Sequence, residues 1–347
     1  MSSPTTDQAL QRLLEQGRAR AAATDPDHAR LWDALTAATE GGNRCRPALV
    51  MAAHDALGGT CSAAAAMTGA AVELLHTALV IHDDVIDGDD LRRGRPNVSG
   101  TFSEYAVAAG ATPDEADALG RTAGILAGDL ALVAAIRAVA TCGASPDVTH
   151  RLLDLFDAAV HTTAAGEFAD VRLSLSIGAA SLPESLTMAE QKTSAYSFAL
   201  PLQAGAVLAG ADDRTVDRLG EAGRVLGIAF QLVDDLLGVF GDPARTGKSA
   251  TSDLRAGKQT PLLAHARSTT EWERIRQYVG RDLTDDELAE ARRLLTISGS
   301  RRFVEELAAA HHVAARTLVD ELGISADLLA AVTASPAGLA DGNEVAA

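Results

Sequence analysis

Apolar residues recur at helical spacing along most of the chain. The pattern predicts helices at about 7–23, 28–39, 44–57 and 61–87, then 114–142, 147–175, 185–208 and 213–240, with shorter helices across 259–333. Residues 88–113 and 244–257 carry more glycine, proline and polar groups and read as loops. Thr112-Pro113-Asp114-Glu115 reads as a helix start, with proline in the first turn and acids at the positive end of the dipole. Gly241-Asp242-Pro243 ends the helix before it. No extended alternating runs rich in valine, threonine and aromatics predict strands. Residues 1–6 and 335–347 read as tails, and no linker separates two domains. The expected architecture is all-α, one helical bundle around a central cavity over 1–347.

Composition agrees. Hydrophobic residues make up 47% and aromatics only 3%, while Ala, Leu, Glu and Arg dominate, which favours helix. A net charge of -17 argues against non-specific nucleic-acid binding, yet leaves room for a local basic pocket. Three widely spaced cysteines fit reduced thiols in a cytoplasmic protein. Glu73, His76 and His82 interrupt the longest apolar stretches, so no membrane span is expected.

Two of the apolar helices carry paired acids. The first run, Ala63 to Ile86, ends in Asp83-Asp84-Val85-Ile86-Asp87. Positions i and i+4 share a helix face and i+1 lies beside them, so the three carboxylates aim at one small volume. Like charges so close resist ionising unless a counter-charge is supplied. Mg2+ supplies it, takes oxygen ligands and shares them with phosphates. The second run, Val225 to Val239, places Gln231, Asp234 and Asp235 on one face. Taken singly, either cluster also fits a solvated helix surface. Together they suggest two carboxylate walls around bound metal and an anionic ligand.

Basic residues lie near both clusters. Arg44 and Arg46 stand just inside a helix start and suit a phosphate, with a surface pair as the plainer alternative. Arg92, Arg93 and Arg95 follow the first cluster and serve either a phosphate or the charges of Asp89 and Asp90. His76 lies two turns before Asp83; a histidine in an apolar helix is more often a hydrogen-bonded core residue than a ligand, and His82 more so. Lys192-Thr193, Lys248 and Lys258 accompany the second cluster.

These segments resemble the trans-isoprenyl diphosphate synthases over roughly residues 40–262, and most closely the actinobacterial geranylgeranyl diphosphate synthases. The likeness rests on Asp83-Asp84-x-x-Asp87 with Arg92-Arg93-Gly94, and on Phe230-Gln231-x-x-Asp234-Asp235 with Gly247-Lys248 and Gly257-Lys258. It implies the isoprenoid synthase type I fold, a homodimer, and an enzyme that joins isopentenyl diphosphate to an allylic diphosphate. It also implies about three Mg2+ ions, with Asp83, Asp87 and Asp234 as ligands and Asp84 and Asp235 assisting. Arg92, Lys192, Lys248 and Lys258 would then meet the allylic diphosphate, and Arg44, His76 and Arg93 the isopentenyl diphosphate. Thr193 and Gln231 would face the reacting carbons.

Three positions depart from the family pattern. Asn43 stands for a usual lysine, Glu167 for a usual glutamine, and Gly238 for the last aspartate of the second motif. The resemblance also implies that the product tail runs along the helix before Asp83, which would set product length. Leu79 and Ala78 lie four and five residues upstream, roughly 7.5 Å along the helix, where a growing tail would meet a floor. Ala78 does not block and Leu79 blocks partly, which favours a C20 product. The rival readings are a terpene cyclase, which needs no isopentenyl diphosphate site, and a non-catalytic partner subunit, which typically loses its aspartate motifs.

Overall fold

A computed structural model describes residues 5–175, 180–241 and 252–329. The described chain is helical almost throughout. Its packing divides it into two compact units, Met1–Phe156 with Gln203–Asp212, and Asp157–Leu202 with Asp213–Ala347.

The first unit contains α1 (Thr6–Thr24), α2 (Pro26–Ala38), α3 (Cys45–Ala56), α4 (Ser62–Asp87), α5 (Val98–Ala108) and α6 (Pro113–Ala140). Thr5 and Gln8 form a capping box on α1, so the tail expected at 1–6 gives way to helix by Thr6. Thr112 and Glu115 do the same for α6, behind Pro113 in the first turn, as the sequence predicts. In the core, α4 buries Leu74, Leu75, Ala78 and Ile81 to 2% exposure or less. Each large aliphatic so buried contributes roughly 1.5–3 kcal/mol. The opposing face of α6 is lined with small residues. A Cβ at Gly128 would lie 2.2 Å from the His82 ring, so glycine there allows the close approach of α4 and α6. His82 is thus a packing residue, its Nε2 3.4 Å from the Ile125 carbonyl.

The second unit contains most of α7 (Pro146–Leu175), then α8 (Leu182–Ala189), a π-helix (Glu190–Ala199) and α10 (Asp213–Phe240); most of α9 (Leu200–Leu208) belongs to the first unit. It continues with α11 (Ser252–Ala256), α12 (Pro261–Ala266), α13 (Trp272–Ile275), α14 (Asp285–Ile297) and α15 (Ser300–Asp320). Leu232 and Val239 of α10 pack with Leu254, Leu262, Ile275, Leu294 and Val304 in its core.

Three local expectations change. The loop expected over 88–113 contains α5, capped by the Asn97 side chain, which accepts from the Gly100 N–H. Before α5 lies a two-stranded hairpin, β1 (Leu91–Arg92) with β2 (Arg95–Pro96), where no strand was expected. Its two-residue loop, Arg93-Gly94, has positive φ at both positions, as hairpin turns of this length require. The helix expected over 185–208 is α8 and α9 joined by the π-helix, where the Leu200 N–H reaches the carbonyl five residues back at Ala195. The loop expected at 244–257 becomes α11 from Ser252 onward. The tail at 335–347 lies outside the described residues.

Among the described residues, two helices, α4 and α6, are long and apolar enough to cross a membrane by length and composition. The most apolar window of α4 is 78% buried within the protein and that of α6 50%.

Candidate active site

The first cluster closes α4, whose C-cap is Gly88 in the left-handed region. The three acids have different surroundings. Asp84 is 4% exposed, whereas Asp83 is half-buried and Asp87 exposed. Arg92 sits between the first two. Its Nε donates to Asp84 Oδ1 at 2.8 Å, and its Nη2 donates to Asp83 Oδ2 at 3.3 Å. Burial pushes the Asp84 carboxyl above its ordinary range, and Arg92 works against that shift. The β1–β2 hairpin therefore carries Arg92 back onto the helix that precedes it.

The same hairpin aims Arg93 elsewhere. Its Nη1 donates to the Glu40 carbonyl at 2.9 Å, beside Gly41. That loop leads into α3 through Arg44, whose Nη1 donates to Glu73 Oε1 at 2.6 Å and whose Nε donates to Asp7 Oδ1 at 3.2 Å. Arg44 and Arg93 are the two non-glycine residues with positive φ among the described residues, each at 54°. Such strain collects where a side chain must be aimed. His76 is held well below its usual pKa, first by burial and then by the fields of Arg46, Arg92, Arg93 and Arg44. Burial and these positive fields both disfavour a charged imidazole there. Sequence reasoning paired Arg46 with Arg44 as a phosphate grip, and it noted Glu73 only as a break in an apolar run, not as the buried acid that anchors Arg44. A charged residue inside the apolar α4 run was the available signal.

The second cluster lies on α10. Asp235 is buried, and desolvation pushes its carboxyl well above the usual range, against a hydrogen bond from Gln231 Nε2 at 2.9 Å. Gln231 Oε1 in turn accepts from Thr193 Oγ1 at 3.2 Å. Thr193 belongs to the π-helix, an element that often marks functional positions. Lys192, one residue earlier, donates from Nζ to Asp170 Oδ2 at 2.7 Å and to Glu167 Oε1 at 3.2 Å. The additional carboxylate at Glu167 is thereby paired. Gly238 has a reason too. A Cβ there would lie 2.0 Å from Asp253 Oδ2, so the Asp253 carboxylate fills the space a side chain at 238 would need. Lys258 Nζ lies 3.5 Å from Asp253 Oδ1. Asp253 stands just past the second acid pair in sequence, and its role against Gly238 shows only in the folded chain. Gly247 and Lys248 lie outside the described residues.

Each cluster offers carboxylate oxygens, the donor type Mg2+ prefers. Among the described residues no three His, Cys, Asp or Glu side chains form a cage for an ion. Mg2+ needs none, because it commonly takes one or two carboxylates and completes its shell with water and substrate phosphate. The residues fit the ion on those terms.

The model of the polyprenyl synthetase family matches residues 28–295. The chain belongs to that family. A geranylgeranyl diphosphate synthase of Sulfolobus acidocaldarius is 34% identical over 65% of this chain and 63% of its own length. A (2E,6E)-farnesyl diphosphate synthase of Mycobacterium bovis is 35% identical over 82% of this chain and 75% of its own. A geranylgeranyl diphosphate synthase of Mycobacterium tuberculosis is 38% identical over 76% and 70%. Among solved structures, a Corynebacterium glutamicum geranylgeranyl pyrophosphate synthase complexed with isoprenyl diphosphate and magnesium superposes with a TM-score of 0.85. That enzyme is 29% identical, and the match covers 94% of each chain. This polyprenyl synthetase accordingly has the all-α isoprenoid synthase type I fold and is a trans-prenyltransferase.

Proposed function

We propose that this enzyme condenses isopentenyl diphosphate with an allylic diphosphate and releases geranylgeranyl diphosphate, the C20 product. The observation that supports the substrate assignment is that Arg93 and Arg44 both reach the 40–44 loop, Arg93 Nη1 donating to the Glu40 carbonyl and Arg44 Nη1 lying beside Gly42. A terpene cyclase has no use for a second diphosphate site. Arg44, Arg93 and His76 hold isopentenyl diphosphate there, and Arg46 joins them. Arg92, Lys192, Lys258 and Lys248 serve the allylic diphosphate.

Bound Mg2+, about three ions held by Asp83, Asp87 and Asp234 with Asp84 and Asp235 in support, would neutralise the charge that grows on the leaving diphosphate. The protein's own part is to orient and to exclude water. Lys192 and Lys258 place positive charge where the allylic C–O bond breaks. Thr193 and Gln231, hydrogen-bonded to each other, would stand beside the resulting carbocation. Apolar helix faces keep water from it. The isopentenyl double bond supplies the electron pair for the new C–C bond. The resulting cation loses a proton, which the expelled diphosphate accepts.

Chain length turns on α4. His76, Leu79 and Asp83 lie on one face and all are partly exposed. Ala78 is 1% exposed and falls on the side of α4 that holds His82, which packs against Gly128 of α6. Leu79 is therefore the floor residue we favour, with Ala78 behind it. Leu79→Phe is expected to shift the main product from C20 to C15, read by chromatography of the dephosphorylated prenols. A product no shorter than that of the unaltered enzyme would remove Leu79 from the floor. The farnesyl diphosphate synthase among the relatives makes this the informative comparison.

The working form is proposed to be a cytoplasmic homodimer built from a single catalytic domain. Leu119, Ile125, Leu126 and Val133 leave an exposed apolar stripe on α6 that supports association.

A further inference from the structure

We propose that Glu73 is a positioning residue for isopentenyl diphosphate: it acts through Arg44 and fixes where that guanidinium stands when the diphosphate arrives. The inference rests on the reading of Arg44 as a ligand of this substrate.

Arg44 meets two carboxylates of different character. Its Nη1 lies 2.6 Å from Glu73 Oε1 and its Nε 3.2 Å from Asp7 Oδ1. Side-chain exposure is 6% for Glu73, 29% for Arg44 and 72% for Asp7. The short contact is therefore shielded from water, and the long one is screened by it. Glu73 Oε2 is buried and accepts from no donor among the described residues. The bond from Arg44 is thus the one that satisfies this carboxylate, and giving it up would leave a buried acid unpaired.

The chain around the pair serves the same end. A Cβ at Gly42 would lie 3.5 Å from Glu73 Oε1 and 3.8 Å from Arg44 Nη1, so the loop before α3 runs directly over the ion pair. Arg93 ties the other end of that loop, its Nη1 donating to the Glu40 carbonyl at 2.9 Å. Arg44 itself stands at φ 54°, which a residue other than glycine keeps only when its surroundings hold it there. It is the N-cap of α3, yet its side chain makes no capping hydrogen bond. The strained residue turns its side chain into the ion pair instead, and Glu73 holds that aim. Isopentenyl diphosphate can displace the exposed Asp7 from Nε and leave Glu73 on Nη1. The guanidinium then meets the substrate already oriented, which lowers the ordering cost of a long side chain.

Steady-state kinetics with each substrate varied in turn reads this. Glu73→Leu keeps the size of the side chain and its helix preference but removes both oxygens. The KM for isopentenyl diphosphate should rise about tenfold to a hundredfold, while its kcat and the KM for the allylic substrate stay within about threefold of the parent. Glu73→Gln keeps an acceptor for Arg44 and should restore most of the affinity. Leucine and glutamine fill the same space, so a role in packing alone would not separate them. Asp7→Ala removes the exposed contact and should leave the KM within about twofold. An unchanged KM in Glu73→Leu overturns the proposal. So does a Glu73→Gln enzyme as weak as Glu73→Leu, or an equal rise in Asp7→Ala. Glu73→Asp stands in should Glu73→Leu not fold. It draws the carboxylate back by one methylene and should raise the same KM about threefold to tenfold; no rise there counts equally against the proposal. Arg44→Ala separates the anchor from the reading beneath it. If it raises the KM for isopentenyl diphosphate while Glu73→Leu does not, only the anchor fails. If Arg44→Ala leaves that KM unchanged, the assignment of Arg44 fails.

Discussion

Asp83→Asn is expected to slow ionisation of the allylic diphosphate about a thousandfold or more, with the fold intact. Asp83 is half-buried at the end of α4, on the face it shares with His76 and Leu79. An amide there keeps the size of the side chain and one acceptor oxygen, but loses the charge that a hard cation needs. Asp234→Asn on α10 should act alike. Single-turnover consumption of the allylic substrate at saturating Mg2+ measures the step, and circular dichroism with thermal unfolding checks the fold. A rate within threefold of the parent would remove Asp83 from the metal ligands. Asp84 is a different case. Its carboxylate is buried against Arg92, so replacing it disturbs packing as well as charge.

Arg92→Ala is the second large effect, and it falls on stability. It strips the guanidinium from a carboxylate that is 4% exposed. Breaking such a pair leaves a buried charge without its partner. Arg92 itself is 39% exposed, so water replaces part of the lost interaction. We expect a loss of about 2 kcal/mol, below the range for fully buried pairs. Arg92→Ala with Asp84→Asn should recover part of it, because the orphaned charge is gone. Thermal unfolding of both single variants and the double variant gives the coupling. No recovery in the double variant would mean that Arg92 stabilises through the hairpin and not through Asp84. Activity should fall as well, since Arg92 also reaches Asp83.

The long helices were legible because each buries an apolar stripe at regular spacing. α4, α6, α7 and α10 fall within two residues or so of their predicted bounds. The π-helix was not legible. Its side chains alternate much as those of an α-helix do, and only the hydrogen bond from Leu200 to Ala195 reveals the wider turn. The β1–β2 hairpin and α5 were hidden for another reason. Glycine, proline and asparagine there suggested loop, yet each does local work: Gly94 turns the hairpin and Asn97 caps α5. In the candidate site the aspartates could be found from spacing alone. Their inequality could not, because it depends on Arg92 returning across a turn. Asp253 at Gly238 and Glu73 beneath Arg44 are tertiary contacts that form only in the folded chain.

The most direct measurement is to incubate the purified enzyme with Mg2+, isopentenyl diphosphate and each of dimethylallyl, geranyl and farnesyl diphosphate, and to determine the chain length of the products. Elongation that stops at C20 is the expected result. Release of hydrocarbon from the allylic diphosphate alone, without elongation, would contradict it and identify a cyclase instead.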